Sequence, residues 1–145
     1  MKISSHNEWS PLRSVIVGMA AGANKPDGCH FEHPGSYPGH VTAQADMDLD
    51  RFARTLEQEG VKVYRPKYNN FAQTSGMYNY CPRDRLLVVG DTVIDCNMQY
   101  ACREQESSYY DYVLKSAKRV LTVPRNRWVK FDAANVCRLD QTLLY

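Results

Sequence analysis

The stretch from Asn79 to Glu106, NYCPRDRLLVVGDTVIDCNMQYACREQE, determines how the rest of the chain is interpreted. It contains two short apolar runs, Leu86 to Val89 and Val93 to Cys96, with Gly90-Asp91 between them. Glycine accepts positive φ and aspartate bonds its own backbone, so a Gly-Asp step between two such runs is typical of a tight turn. The stretch therefore predicts a β-hairpin.

Three charged residues, Arg83, Asp84 and Arg85, directly precede this hairpin. One interpretation is that they only keep a strand-forming segment from aggregating. The other is that they are polar groups which a rigid scaffold directs toward a ligand. The run by itself is compatible with both roles.

Upstream of the hairpin, the sequence predicts a strand and then a long loop. Ser14 to Val17 is a short apolar run that closes on Gly18, which indicates a buried strand. Residues 19–42 are rich in Gly, Pro and His, a composition typical of a long functional or mobile loop. A second polar and aromatic loop is expected from Lys67 to Asn79.

A helix is predicted from Thr42 to Gly60, because apolar residues recur there at helical spacing. Thr42 is a candidate for the residue that caps its start, and Gly60 for the one that ends it. Val61 to Tyr64 then predicts a short strand, which Pro66 stops. The predicted apolar face consists of Ala45, Leu49, Phe52, Ala53 and Leu56.

Downstream of the hairpin, the same order of elements recurs. Ser107 to Lys118 predicts a helix and Arg119 to Val123 a strand. This self-similarity favours repeated α/β blades over one doubly wound sheet. Val136 to Leu139 and Thr142 to Tyr145 would open a third unit. With 145 residues, the chain is expected to form one α/β domain over residues 1–145.

Composition argues against membrane and nucleic-acid partners. The longest apolar stretch, Val15 to Ala23, is far shorter than the roughly 20 residues that a membrane span requires. The net charge of +2 arises from interspersed signs, without a basic stripe that could neutralise phosphates. The first ten residues lack the apolar core of a secretory signal, so a cytoplasmic location is expected. Five unpaired cysteines suit reduced thiols there.

Three segments resemble the L-arginine:glycine and inosamine-phosphate amidinotransferases of the pentein superfamily. They are FAQTSGMYNYCPRDRLLVVGDTVIDCNMQYACREQE (71–106), DLDRFARTLEQEGVKVYRP (48–66) and FDAANVCRL (131–139). The resemblance extends over nearly the whole chain and implies a relative of the N-terminal part of these enzymes. Members of the family are five-bladed α/β propellers, so it implies a partial propeller of about two blades and the start of a third.

The resemblance also implies roles for individual residues. Asp84 in PRD matches a substrate-binding aspartate, and Asp132 in FDAAN matches the catalytic aspartate. Carboxylates suit both roles, because a guanidinium is planar, permanently charged and best held by groups that accept paired N–H bonds. Arg83 and Arg103 are further substrate-binding candidates. Arg103 and Glu106 match family positions, but a surface ion pair explains them equally well.

Taken alone, the two aspartates also allow structural roles. Asp84 could be an exposed turn residue, and Asp132 could cap a turn at Ala133-Ala134. Position 135 carries Asn where the family pattern usually has a second carboxylate, which removes one negative charge near the expected site.

The chain departs from the family in its catalytic groups. The histidine and the nucleophilic cysteine of the family, which lie well beyond the FDAA step, have no counterpart in these 145 residues. Covalent amidino transfer requires a thiolate paired with an acid–base group. The 145 residues alone are therefore expected to be inactive as a transferase.

Local cysteines and histidines offer two alternatives. One loop gathers four residue types that bind zinc, but their spacing is not that of a standard finger, so no metal and no cofactor are expected. These residues are Cys29, His30, His33 and His40. Cys81 adjoins the charged run and is either a mildly activated thiol or a small half-buried residue.

Three functions remain open on the sequence. The chain is part of an amidinotransferase-like enzyme that moves the amidino group of arginine to an amine acceptor, or a non-catalytic binder of guanidino compounds such as arginine. The third possibility is a self-assembling structural or interaction protein. Because interrupted propellers expose the sides of their blades, a homo-oligomer or a completing second chain is also expected, with contacts in Phe131 to Tyr145.

Overall fold

The structure, a computed structural model, describes residues 2–21, 37–67, 79–100, 103–139 and 142–145. Its contacts divide the chain into two compact units, Leu12–Pro82 and the combination of Met1–Pro11 with Arg83–Tyr145. The single domain expected over residues 1–145 stays a prediction. The elements in chain order are β1 (Ser14–Ile16), α1 (Gly39–Gln58), β2 (Lys62–Tyr64), α2 (Pro82–Arg85), β3 (Leu86–Val89), β4 (Thr92–Asp95), α3 (Asp111–Ser116), β5 (Arg119–Thr122), β6 (Cys137–Leu139) and β7 (Thr142–Leu144).

In the unit Leu12–Pro82, β1 and β2 pair in parallel, with Val15 opposite Val63. Parallel neighbours need a crossover connection, and α1 supplies it. Both strands were predicted and each is one residue shorter than expected. Most of the predicted loops, at 22–36 and 68–78, lies outside the described residues.

The start of α1 corrects the predicted cap. The helix begins at Gly39, three residues before Thr42, and no side chain caps its first turn. Thr42 Oγ1 instead donates to the carbonyl of Gly39 at 3.0 Å, as a threonine inside a helix commonly does. Gly60 ends the helix as predicted, with φ at 79° and its N–H donating to Glu57 O at 3.0 Å.

The apolar face of α1 is narrower than its spacing predicts. Ala53 is buried, and Leu49 and Leu56 are half-buried, but Phe52 is exposed. The described sheet of this unit has only two strands of three residues, which is a small surface for a 20-residue helix to pack against. The prediction that Phe52 belongs to the buried face was therefore wrong.

In the other unit, the predicted hairpin is confirmed. Strands β3 and β4 pair antiparallel through a two-residue turn, with Val89 opposite Thr92 and Gly90 at φ 60°. The second strand begins and ends one residue earlier than predicted. Strand β5 joins β4 in parallel, which gives a three-stranded sheet in the order β3-β4-β5.

The connection between β4 and β5 differs from the single helix predicted over Ser107 to Lys118. A 3-10 turn at Glu106–Tyr110 leads into the six-residue helix α3. Tyr109 and Val113, two side chains of this connection, are buried. The strand–helix–strand order β4-α3-β5, with parallel strands, repeats that of β1-α1-β2. The number of propeller blades stays a prediction.

Strands β6 and β7 form a separate antiparallel pair. The described strands thus belong to three sheets, none of them closed. Beneath the hairpin lies a core cluster formed by Leu87, Cys96, Met98, Ala133 and Val136. Within the described part of the chain, none of the helices has the length and the apolar character that crossing a membrane requires.

Candidate functional site

The three charged residues that precede the hairpin lie in the short helix α2, and their side chains differ in burial. Pro82 occupies its first position, where a missing N–H costs nothing because that donor has no partner in the helix. Arg85 is fully buried, Asp84 is half-buried and Arg83 is exposed. Because Arg85 is buried, it cannot keep the strand from aggregating by placing a charge at the surface. The three charged side chains therefore have different environments.

Asp84 is the first carboxylate of a buried ionic chain. Its Oδ2 lies 3.1 Å from Arg103 Nη1. Arg103 Nε and Nη2 donate in turn to the two carboxylate oxygens of Glu106, at 2.7 and 3.0 Å. Arg103 is only 8% exposed and Glu106 only 2%. The interpretation of this pair as a surface ion pair was wrong.

Burial dominates the electrostatics of these carboxyl groups. It raises the pKa of Glu106 to about 7, although the hydrogen bonds and the charge of Arg103 act in the opposite direction. Burial alone would lower the pKa of Arg103, but its bonds to Glu106 and the charges of Glu106 and Asp84 outweigh this and raise it. The guanidinium of Arg103 is therefore charged at every physiological pH.

Asp84 and Asp132 lie close enough to influence each other. Burial raises the pKa of Asp84, and the negative charge of Asp132 raises it further, whereas Arg103 and Arg83 lower it. Two carboxylates that repel each other in a partly buried region favour a bound cation, since the cation relieves the repulsion. These two side chains are thus brought into one electrostatic neighbourhood from positions 48 residues apart.

Asp132 also has the structural role that its sequence allowed. It caps the 3-10 turn Ala133–Asn135, and its Oδ1 accepts from the N–H of Ala134 at 2.9 Å. A cap uses one carboxylate oxygen, so Oδ2 remains for another partner. Capping and ligand binding are compatible in this geometry.

The segment that leads to Asp132 is anchored by Asn97, which the sequence did not single out. Asn97 is buried, its side-chain Nδ2 donates to the carbonyls of Asn126 and Val129, and its backbone carbonyl accepts from Phe131 N at 3.0 Å. A buried amide with these partners fixes the path of the loop immediately before Asp132. The only signal in the sequence was a polar residue directly after an apolar strand.

Arg83 connects α2 with the segment after Asp132. Its Nη2 donates to the carbonyl of Val136 at 3.1 Å and lies 3.6 Å from Glu8 Oε1. The side chain is otherwise exposed, so its guanidinium is accessible to solvent.

The three described cysteines differ in burial. Cys96 packs against the core cluster next to Ala133, and burial raises its pKa to about 11. Cys81 is half-buried and Cys137 exposed. Cys29, His30 and His33 lie outside the described residues, among which no group of three or more His, Cys, Asp or Glu could hold a metal ion.

The chain is similar in sequence to several amidinotransferases. It is 34% identical over 189 aligned residues to inosamine-phosphate amidinotransferase 1 of Streptomyces glaucescens, which covers 99% of this chain and 54% of that protein. An L-arginine:L-lysine amidinotransferase of Pseudomonas savastanoi pv. phaseolicola is 34% identical over 136 residues, covering 78% and 38%. The mitochondrial glycine amidinotransferase of Xenopus tropicalis is 31% identical over 144 residues, covering 80% and 34%. No protein-family model matches the chain.

Solved structures show the same relationship. An inosamine-phosphate amidinotransferase of Streptomyces griseus has a TM-score of 0.81 at 33% identity and covers 99% of this chain and 54% of its own. A dimethylarginine dimethylaminohydrolase, at 13% identity and a TM-score of 0.61, shares the fold. The resemblance to amidinotransferases and the α/β class are thereby confirmed. The chain spans about half the length of the curated relatives that match it throughout.

Proposed function

We propose, from the relationship of this chain to the amidinotransferases in sequence and fold, that Asp84 and Asp132 form part of a site for the guanidino group of arginine. The observation that carries the proposal is the hydrogen bonding of the two carboxylate oxygens of Asp84. Arg103 donates to Oδ2 of Asp84, whereas Oδ1 of Asp84 accepts no hydrogen bond from any described residue. A half-buried carboxylate oxygen without a partner in the described part of the chain suits a charged N–H donor from a ligand.

The chemistry of the two aspartates fits this ligand. A guanidinium presents several N–H groups in one plane, so two carboxylates at its edge can each accept from it. Burial is the main cause of the raised pKa of Asp84, and binding such a cation would offset the smaller contribution from the charge of Asp132. The names of two relatives include L-lysine and glycine, which both carry an amine that could accept an amidino group.

We further propose that the 145 residues bind without transferring. Amidino transfer through a covalent intermediate requires an accessible thiolate with an acid–base partner. Cys96, the described cysteine that packs against the turn after Asp132, is buried and has a pKa near 11. The two candidate functions are therefore a part of an amidinotransferase and a non-catalytic binder of guanidino compounds. They differ only in whether a nucleophile is supplied to the bound guanidino group.

Replacing Asp84 by asparagine is expected to weaken arginine binding about 10- to 100-fold, measured by titration calorimetry at neutral pH. Hydrogen bonds to charged groups contribute roughly 1.5–3 kcal/mol, and 1.4 kcal/mol is a factor of ten in affinity. Asp91→Asn is the matched control, because Asp91 is an exposed carboxylate of the same unit that pairs with Lys118.

Citrulline has an uncharged side chain, so it tests whether the site requires the charge of the guanidinium. It is expected not to bind. Samples incubated with arginine and glycine are expected to release no ornithine above background. Absence of arginine binding at millimolar concentration would reject the guanidino site. Equal affinity of Asp84→Asn and Asp91→Asn would reject the role of Asp84.

We also propose that the protein is a homo-oligomer or is completed by another chain, through residues 131–145. The support is the exposure of four apolar side chains on β6 and β7 or directly after β7, which are Leu139, Leu143, Leu144 and Tyr145. Large uncovered apolar patches mark interaction sites in soluble proteins. About two propeller blades and the start of a third would leave such flanks to be covered.

Leu144→Lys is expected to shift the protein toward the monomer, measured by light scattering at micromolar concentration. Leu12→Lys is the matched control, since Leu12 and Leu144 are 51% and 52% exposed and only Leu144 lies in the proposed contact. Deletion of residues 142–145 should have the same effect as Leu144→Lys. A wild-type protein that is already a stable monomer would contradict the proposal.

A further inference from the structure

Arg103 lies between two carboxylates and contacts each of them with a different part of its guanidinium. Two nitrogens, Nε and Nη2, bind the buried Glu106 in a bidentate arrangement at 2.7 and 3.0 Å. The third, Nη1, is directed to Asp84 Oδ2 at 3.1 Å. Because the guanidinium is rigid and planar, fixing two of its nitrogens fixes the direction of the third. Glu106 thus determines where Arg103 meets Asp84.

We propose that Arg103, held by Glu106, is a positioning residue that fixes the Asp84 carboxylate by Oδ2 and so presents Oδ1 to the ligand. This inference rests on the proposed guanidino site and gives Arg103 an indirect role in it. Direct contact with substrate, the role expected from the sequence, is disfavoured because Arg103 is 8% exposed and carries the same charge as a guanidinium ligand. Glu106 has no place in the ligand site and acts through Arg103.

Arg103 also keeps Asp84 in its binding form. The charged groups that act on Asp84 are Arg103, Asp132 and Arg83, together with Glu106, which pairs with Arg103 and has a pKa raised to about 7 by burial. Burial and Asp132 raise the pKa of Asp84, and Arg103 exerts the largest opposing effect. Without Arg103, Asp84 would take up a proton at a higher pH. A protonated Asp84 cannot pair with a guanidinium, so arginine binding would fail at a higher pH as the solution is acidified.

The test combines a titration of Asp84 with a measurement of binding. Carboxyl ¹³C NMR follows the pKa of Asp84 in the full chain without any ligand, and calorimetry with arginine between pH 5 and 8 measures affinity. The variants are Arg103→Gln, Arg103→Lys and Glu106→Gln. Lys115→Gln is the control, because it removes one positive charge and one exposed ion pair from the same unit.

Arg103→Gln is expected to raise the pKa of Asp84 and to weaken arginine binding. At metal sites, loss of a supporting partner costs about 10- to 100-fold in affinity, and a loss of similar size is expected here. Arg103→Lys restores the charge but not the planar fork, so it should restore the titration of Asp84 while affinity stays low. Glu106→Gln should leave affinity between those of the wild type and Arg103→Gln. Lys115→Gln should match the wild type in both measurements.

The outcomes separate this inference from the proposed function. If the wild type binds no arginine, the guanidino site is rejected, and an unchanged titration in Arg103→Gln rejects the role of Arg103 as well. If the wild type binds and Arg103→Gln binds equally well, only the positioning role is overturned. Should Arg103→Gln not fold, Arg103→Lys decides, because wild-type affinity in that variant also overturns the positioning role.

Discussion

Replacing Asp95 by alanine is expected to lower the free energy of unfolding by about 3–5 kcal/mol, because it leaves a buried arginine without its counter-charge. Asp95 Oδ1 lies 2.8 Å from Arg85 Nε, and the two side chains are 7% and 1% exposed. Arg85 Nη2 also donates to Ser107 Oγ at 3.2 Å. Burial lowers the pKa of Arg85, and Asp95 provides the largest opposing effect. Without Asp95, the largest favourable interaction of this buried charge is lost.

Urea unfolding monitored by circular dichroism measures this change. Lys115→Gln is the control, since it breaks an exposed pair with Asp111 and should cost at most about 0.5 kcal/mol. The double variant Arg85→Met/Asp95→Leu tests the mechanism, because replacing a whole buried pair with apolar residues is often neutral or stabilising. A cost below about 1 kcal/mol for Asp95→Ala would show that the buried pair does not support the fold.

Local chemistry made the hairpin predictable. Two apolar runs and a Gly-Asp step specify strand, turn and strand within ten residues, and the structure follows this specification with Gly90 at positive φ. The start of α1 was less predictable, because the threonine expected at the cap lies inside the helix and bonds Gly39. Several residues at that end could begin a helix, and the surrounding fold selects among them.

The directions of the charged side chains could not be predicted. In PRDR, three consecutive charges differ in burial because the partner of Arg85 is on β4 and that of Asp84 follows this strand. Charges are rarely buried without such partners, and a sequence does not show which distant residue is the partner. The buried environment of Arg103 and Glu106 was missed for the same reason.

The two aspartates of the candidate site were identified only through the family resemblance. Each alone fits a turn or a cap, and Asp132 does cap a turn. They are 48 residues apart and belong to different elements, so no periodicity relates them. Their proximity, visible in the influence of Asp132 on the pKa of Asp84, depends on the sheet that places α2 beside the Ala133–Asn135 turn.

Replacing Gly18 by alanine is expected to cost about 3 kcal/mol, the upper part of the range for inserting a methyl group into a packed region. A Cβ at this position would overlap the backbone carbonyl of Tyr80. The chain cannot easily move aside, because Val17 N donates to Tyr64 O at 3.0 Å and Met19 N to Asn79 O at 2.9 Å. Backbone groups on both sides therefore hold Gly18 against Tyr80.

Gly60→Ala separates this close approach from the general effect of losing a glycine. Gly60 has φ 79°, and no atom of the described residues lies within 4 Å of an added Cβ, so its replacement should cost only the strain of the left-handed conformation, about 1–2 kcal/mol. In Gly18→Ala, the amides of Val17 and Met19 should also lose protection from hydrogen exchange, whereas Gly60→Ala should leave them protected. Equal stability of the two variants, with both amides protected, would show that the backbone at Gly18 yields to a methyl group and that the contact with Tyr80 does not constrain the sequence there.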